Sequence, residues 1–165
     1  MNDEHVEEDT IESTVPCVLL PLVNKTALVP KVTLAEMAPL KPFDMIHSTP
    51  DWFLGFYDWH GTWVPVISFE TINDLGSPKI SVGGSVAILN STGVDDKVKY
   101  ISIITQSTQS SIDIEEGNVQ EDSQAQKSPY DMMLVSVGSD RYVVPDIAAL
   151  ENAFLGLSIH KDIYF

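Results

Sequence analysis

Asp58, His60 and Glu36 are the residues of this chain whose types fit acid–base chemistry. Asp58 precedes His60 by two positions, and residues so spaced share a face on a strand or tight turn. A small β-barrel hydrolase or ligand-binding protein built on them would use His60 as a general base, oriented by Asp58 or Glu36. The competing and preferred reading makes His60 a turn residue beside Gly61 that supplies hydrogen bonds. His5, His47 and His160 are scattered, and no Cys/His pair stands at metal-ligand spacing. Cys17, the single cysteine, lies among Val15, Val18, Leu19 and Leu20. Such a thiol reads as a small buried hydrophobe, and one cysteine excludes an internal disulfide. The serines form no Gly-x-Ser-x-Gly elbow, and Gly83-Gly84 lacks the Lys-Ser/Thr that completes a phosphate-binding loop. No catalytic residue, metal or cofactor is therefore expected.

Aromatic side chains offer a different chemistry, that of recognition. Trp52, Phe53, Phe56, Tyr57, Trp59 and Trp63 crowd into one short stretch. Most of them are expected to fill a core, with one or two left at the surface as anchors for a partner. Met132 and Met133 are expected in the core as adaptable packing residues.

The elements that position these residues are mostly strands. Ten prolines and nine glycines cut the chain into short apolar runs rather than long helices. Val15 to Val23 and Ala27 to Val29 read as a hairpin. Pro30 interrupts the pairing, and Val32, Leu34 and Glu36 then alternate on one face of the next segment. Pro39 to Pro50 reads as a surface connection, Thr62 to Phe69 as a strand, and Glu70 to Leu75 as a helical turn stopped by Gly76. Strands follow at Ser85 to Asn90, Val98 to Gln106 and Ser111 to Ile114. Glu115 to Ser128 is polar and acidic and reads as a linker. Met132 to Val137 and Tyr142 to Val144 form a last hairpin, after which Pro145 opens a helix through Ala153. The segments Val18 to Pro30 and Met133 to Pro145 repeat the order strand, polar turn, strand, proline, and this echo suggests two related lobes.

Composition narrows the class further. The chain has 165 residues, 44% of them hydrophobic and 20% charged, which suits one compact domain or two small lobes. Its formal charge of −15 repels phosphate backbones and anionic headgroups, so nucleic acid is not an expected partner. Residues 1–14 read as an acidic solvated tail, 15–155 as the folded domain and 156–165 as a C-terminal tail, and deletion of residues 1–12 is expected to leave thermal stability nearly unchanged. No basic segment followed by an apolar one opens the chain, and no run nears the ~18 apolar residues that span a bilayer. A cytoplasmic protein without membrane insertion is expected.

A resemblance enters between Leu34 and Phe69. Leu34-Ala35-Glu36-Met37, Thr49-Pro50-Asp51-Trp52-Phe53-Leu54-Gly55, Trp59-His60-Gly61 and Val64-Pro65-Val66-Ile67 resemble, in order, the signature half of CheW-like domains. The match continues more weakly through Val86 to Asn90 and Tyr100 to Ile114, so it spans roughly Val15 to Phe154. The Trp-Phe-Leu-Gly step and the acidic N-terminal segment are most similar to pilus-type chemosensory members.

The resemblance implies a mainly β fold: two intertwined five-stranded SH3-like barrels with short helices. It implies a non-enzymatic chemotaxis adaptor that bridges the cytoplasmic tip of a methyl-accepting chemoreceptor and the regulatory domain of a CheA-type histidine kinase, recruited to receptor arrays. It places Leu34, Glu36, Gly55, Trp59, His60, Gly61, Val64 and Pro65 on the partner-binding face. His60 stands where the family has arginine, a permanently charged fork of donors that histidine does not replace. Ser68 replaces the usual acidic residue, so a pair between these two positions would be lost at both ends together.

Overall fold

The computed structural model describes residues 14–159 of the chain. The expectations for the acidic tail up to residue 13 and for residues 160–165 lie outside the described residues. Eleven strands are described: β1 (Thr14–Leu22), β2 (Lys25–Pro30), β3 (Leu34–Pro39), β4 (Phe53–Trp59), β5 (Thr62–Ile67), β6 (Ser85–Asn90), β7 (Tyr100–Thr105), β8 (Ser110–Glu115), β9 (Val119–Glu121), β10 (Asp131–Val137) and β11 (Asp140–Pro145). Two α-helices join them, α1 (Phe69–Ile72) and α2 (Ile147–Leu155).

The strands form a six-stranded sheet in the order β8-β1-β2-β11-β10-β9 and a five-stranded sheet in the order β3-β6-β7-β5-β4. The chain starts the first sheet, builds all of the second, and then returns to complete the first. The lobes are therefore intertwined, as the resemblance implies, with six strands in one lobe where five were expected.

Both sheets must roll up. In a flat six-stranded sheet β8 and β9 would stand about 24 Å apart. Only the single 3-10 turn Glu116–Asn118 joins them, and so short a connection reaches about 14 Å at most. β8, the turn and β9 thus form one interrupted strand that pairs with β1 at its start and with β10 at its end. The five-stranded sheet closes differently, through side chains that cross from β3 to β4 and a backbone bridge between Asp44 and Phe56.

Rolling gives each lobe its own interior and leaves a third core between them. Cys17, Leu28, Ile114 and Val135 fill the six-stranded barrel. Ala38, Tyr57, Val64, Val66, Val86, Ile88 and Ile104 fill the five-stranded one. Phe53, Phe56, Ile67, Phe69, Leu89, Ile103, Leu150 and Phe154 belong to the cluster shared by both lobes. Strands β6 and β7 feed a barrel interior with one face and the shared core with the other. Their residues are buried without a break from Val86 to Leu89 and from Ile101 to Thr105, so β6 reads as a continuous apolar run and β7 as one broken by the buried Ser102 and Thr105.

Several sequence expectations need correction. The repeated hairpin is real, but β1–β2 and β10–β11 lie side by side in one sheet, joined by the parallel pairing of Ala27 with Val143, and do not mark one lobe each. The stretch 115–128 is not all linker, because Val119–Glu121 pairs with β10. Pro145 does not open the helix. It ends β11, and Asp146 caps α2 by accepting the Ala149 N–H at 3.1 Å. Val32, Leu34 and Glu36 do not share a face, since Val32 sits in a 3-10 turn and a β-bulge falls between Leu34 and Glu36. In the segment read as a C-terminal tail, Leu157 and Ile159 pack against the shared core.

Candidate partner-binding surface

The outer strands of the five-stranded sheet meet at one corner. The hairpin β4–β5 turns at His60 and Gly61, with φ of 53° and 82°. Two successive positive φ values are what a two-residue hairpin turn with the right twist requires. That turn aims Trp59 and His60 at β3. The Trp59 indole Nε1–H donates to Glu36 Oε1 at 3.1 Å, and His60 Nε2 lies 3.4 Å from the same oxygen. One turn inward, the buried Tyr57 hydroxyl donates to the Pro39 carbonyl at 2.7 Å, and Lys41 Nζ donates to the Asp58 carbonyl at 2.6 Å. Burial raises the Tyr57 phenol above its ordinary pKa, and the charges of Glu36 and Asp58 add to the effect.

Four of the residues assigned to the partner face by sequence converge here: Glu36, Trp59, His60 and Gly61. Trp59 is half-buried and packs edge-on against Tyr100, with ring centroids 4.8 Å apart. The side chains of His60 and Glu36 are 72% and 44% exposed. The other four lie elsewhere. Leu34 is half-buried against the shared core. Gly55 is buried in β4, where a Cβ would stand 2.7 Å from the Asp44 carbonyl oxygen. Val64 is fully buried and offers a partner no side-chain surface. Pro65 is buried too, and its carbonyl accepts the Ser102 hydroxyl at 2.8 Å.

Of the acid–base constellation only the contact between His60 and Glu36 forms. Asp58 Oδ1 accepts the Gly61 N–H at 3.0 Å and so serves the turn. The exposed imidazole of His60 faces Glu36 rather than Asp58, in water rather than in a cleft that would shield a reaction. Among the described residues no cluster of His, Cys, Asp or Glu is arranged to hold a metal ion. The supposed link between positions 60 and 68 is also absent. Ser68 is buried and caps α1 by accepting the Thr71 N–H at 3.2 Å, whereas His60 pairs with Glu36.

A second feature lies apart from the residues assigned to the partner face by sequence. Where the barrels join, an apolar groove of about 400 Å³ opens. Pro30 and Val32 form one wall, Ser91 and Thr92 a second, and Met132 and Ile147 a third. Val32 is 82% exposed and Met132 47% exposed, so Met132 is not the core residue expected of it. Met133 is packed against the interior of the six-stranded barrel. A strand turns successive side chains to opposite faces, and the adjacent methionines were the available signal that one of them would face out.

No curated protein sequence matches this chain significantly. Among solved structures, scaffolding protein TtCheW from Thermoanaerobacter tengcongensis superposes with a TM-score of 0.67 at 14% identity, covering 79% of this chain and 83% of that one. That likeness confirms the fold of two SH3-like barrels. The family model of the CheW-like domain matches residues 16–152, nearly the whole described structure. The chain belongs to the CheW-like domain family.

Proposed function

We propose that this protein is a non-enzymatic adaptor of chemotaxis signal transduction. It binds the cytoplasmic tip of a methyl-accepting chemoreceptor and the regulatory domain of a CheA-type histidine kinase, and holds the two together. It does this in the cytoplasm, at receptor arrays. The observation that carries the reading is the apolar groove at the barrel junction. Val32 stands 82% exposed there, next to the strand that begins at Leu34. Soluble proteins leave large apolar side chains open to water in such a concavity where a partner covers them. A receptor tip is helical, and an apolar helix face laid in a groove is an established mode of recognition. The corner of Glu36, Trp59 and His60 supplies a separate face of half-buried aromatic and polar groups for the kinase domain. Two faces on one rigid body are what bridging needs, and no bond need be made or broken.

The experiment is direct binding by calorimetry, using the soluble cytoplasmic fragment of a chemoreceptor and the kinase regulatory domain from the same cell. Both are expected to bind, separately and together. Val32→Asp is expected to lose the receptor fragment and keep the kinase domain. Retention of the receptor fragment by Val32→Asp would remove the groove from the reading, and failure of both partners to bind would remove the adaptor role.

A further inference from the structure

The groove wall at Ser91 and Thr92 belongs to the loop after β6, in the five-stranded lobe, where the Ser91 N–H still bonds the Lys99 carbonyl at 3.1 Å and Thr92 lies beyond the strand. The opposite wall at Ile147 and Ala148 is the first turn of α2, which follows the six-stranded lobe. One side chain links them. Glu151, one turn further along α2 and fully buried, accepts the Thr92 N–H at 2.8 Å on Oε2 and the Thr92 hydroxyl at 3.3 Å on Oε1. Both carboxylate oxygens are thus spent on a single residue of the other lobe.

A fully buried carboxylate is expensive to retain where its neighbours are Leu150 and Phe154 and an apolar residue would pack at least as well. Its two charge-assisted bonds fix position, and that is what it offers in place of packing. We infer that Glu151 is a positioning residue for partner recognition: it pins the 91–93 loop to α2 and so holds the inter-barrel groove at the width its apolar partner needs. This rests on the groove reading given above and adds to it the element that sets the groove's shape. Thr92 and Gly93 are exposed, and the loop's buried anchor, Val98, lies several residues further on, so the carboxylate is what holds the loop at Thr92 itself.

The test compares wild type, Glu151→Leu and Glu151→Gln with the groove variant Val32→Asp, using the soluble chemoreceptor fragment as probe and amide hydrogen exchange as a second readout. Glu151→Leu is expected to remain folded, to speed exchange at Thr92 and Gly93 by about tenfold or more through local opening, and to weaken the fragment by about tenfold if the loop keeps its wall in place a tenth of the time. Glu151→Gln keeps one acceptor and is expected to fall between Glu151→Leu and wild type. It carries the test if Glu151→Leu does not fold. Unchanged exchange at Thr92 overturns the pin, whatever the fragment does. Faster exchange with unweakened binding, while Val32→Asp loses the fragment, overturns the positioning role and leaves the groove reading standing. Should Val32→Asp also bind normally, the groove reading fails, and the positioning role fails with it.

Discussion

The Tyr57 hydroxyl donates to the Pro39 carbonyl at 2.7 Å and so ties β4 to β3, the two outermost strands of the five-stranded sheet. The barrel is closed at this seam by a phenol together with a short backbone bridge, in which Asp44 of the segment after β3 and Phe56 of β4 exchange N–H to carbonyl bonds at 2.8 and 2.9 Å. With Trp59 bonded to Glu36 and Lys41 to the Asp58 carbonyl, three side chains set how far the β4–β5 hairpin stands from β3. The edge-on packing of Trp59 against Tyr100 adds to these bonds in holding the corner that carries Glu36, Trp59 and His60.

Tyr57→Phe tests the seam. Losing the hydroxyl leaves the Pro39 carbonyl without this donor and is expected to cost about 1 kcal/mol in chemical denaturation at neutral pH. The raised pKa gives a second signature. The folded state keeps the phenolic proton more tightly than the unfolded chain, so its contribution is whole below the unfolded value of about 10 and is lost as pH rises through the folded one. Cys17 and Tyr142 are also raised, each chiefly by burial, and act in the same direction. Stability is expected to fall from about pH 9 upward, and Tyr57→Phe to make that fall shallower. An identical alkaline decline in wild type and variant would show that the seam does not use this proton.

The two glycines of the hairpin separate backbone strain from crowding. Gly55 has φ of 123°, and a Cβ there would press to 2.7 Å from the Asp44 carbonyl oxygen, where the segment after β3 bridges back onto Phe56. Gly61 has φ of 82° and nothing within 4 Å of where a Cβ would stand. Gly61→Ala is expected to cost about 1–2 kcal/mol for the left-handed backbone alone. Gly55→Ala adds a clash with backbone that cannot swing away, and is expected to cost about 3 kcal/mol or more. Equal melting temperatures for the two variants would mean that the 44–45 segment yields freely.

His60 and Trp59 are expected to part company under alanine substitution. The imidazole is 72% exposed and its contact with Glu36 is an exposed pair, so His60→Ala is expected to change stability by no more than about 0.5 kcal/mol. Trp59→Ala removes the edge-on packing against Tyr100 as well as the Glu36 bond, and is expected to cost about 2–3 kcal/mol. If this corner is the kinase-facing surface, His60→Ala also weakens the kinase regulatory domain in a folded protein. Full affinity in His60→Ala would move that surface elsewhere.

What sequence made legible follows from range. β6 was read to its exact ends, because a run buried on both faces and bounded by Gly83-Gly84 and a turn admits few alternatives. β4 was read only as an aromatic cluster, since the bulge between Phe53 and Gly55 breaks the alternation that marks a strand. β9 is three residues long with one inward side chain, Val119, and its polar surroundings look like linker. Glu36 is one of two candidate partners of His60 in the sequence, but its bond to Trp59 is beyond local reading, because the interval between them closes only when opposite sheet edges meet. Asp58, the other candidate partner of His60, is committed by the turn at His60-Gly61 to the Gly61 N–H.

Met132 and Met133 offer the sharpest contrast, because one composition sits in two environments. A bulge at the start of β10 lies between Asp131 and Met133, and the two methionines end on different surfaces. Met132 lines the inter-barrel groove at 47% exposure, while Met133 packs inside the six-stranded barrel beside Cys17, Leu28 and Val135. Met133 is partly buried, and an aspartate there would set a carboxylate against that apolar cluster, at an expected cost of about 2–3 kcal/mol. The same change at Met132 places the charge at a water-filled edge and is expected to shift stability by less than about 1 kcal/mol. It also puts a desolvation penalty where an apolar partner must seat, so Met132→Asp is expected to lose the chemoreceptor fragment at an unchanged melting temperature. If Met132→Asp binds that fragment as wild type does, the exposed sulfur is an accident of the bulge rather than part of a recognition surface.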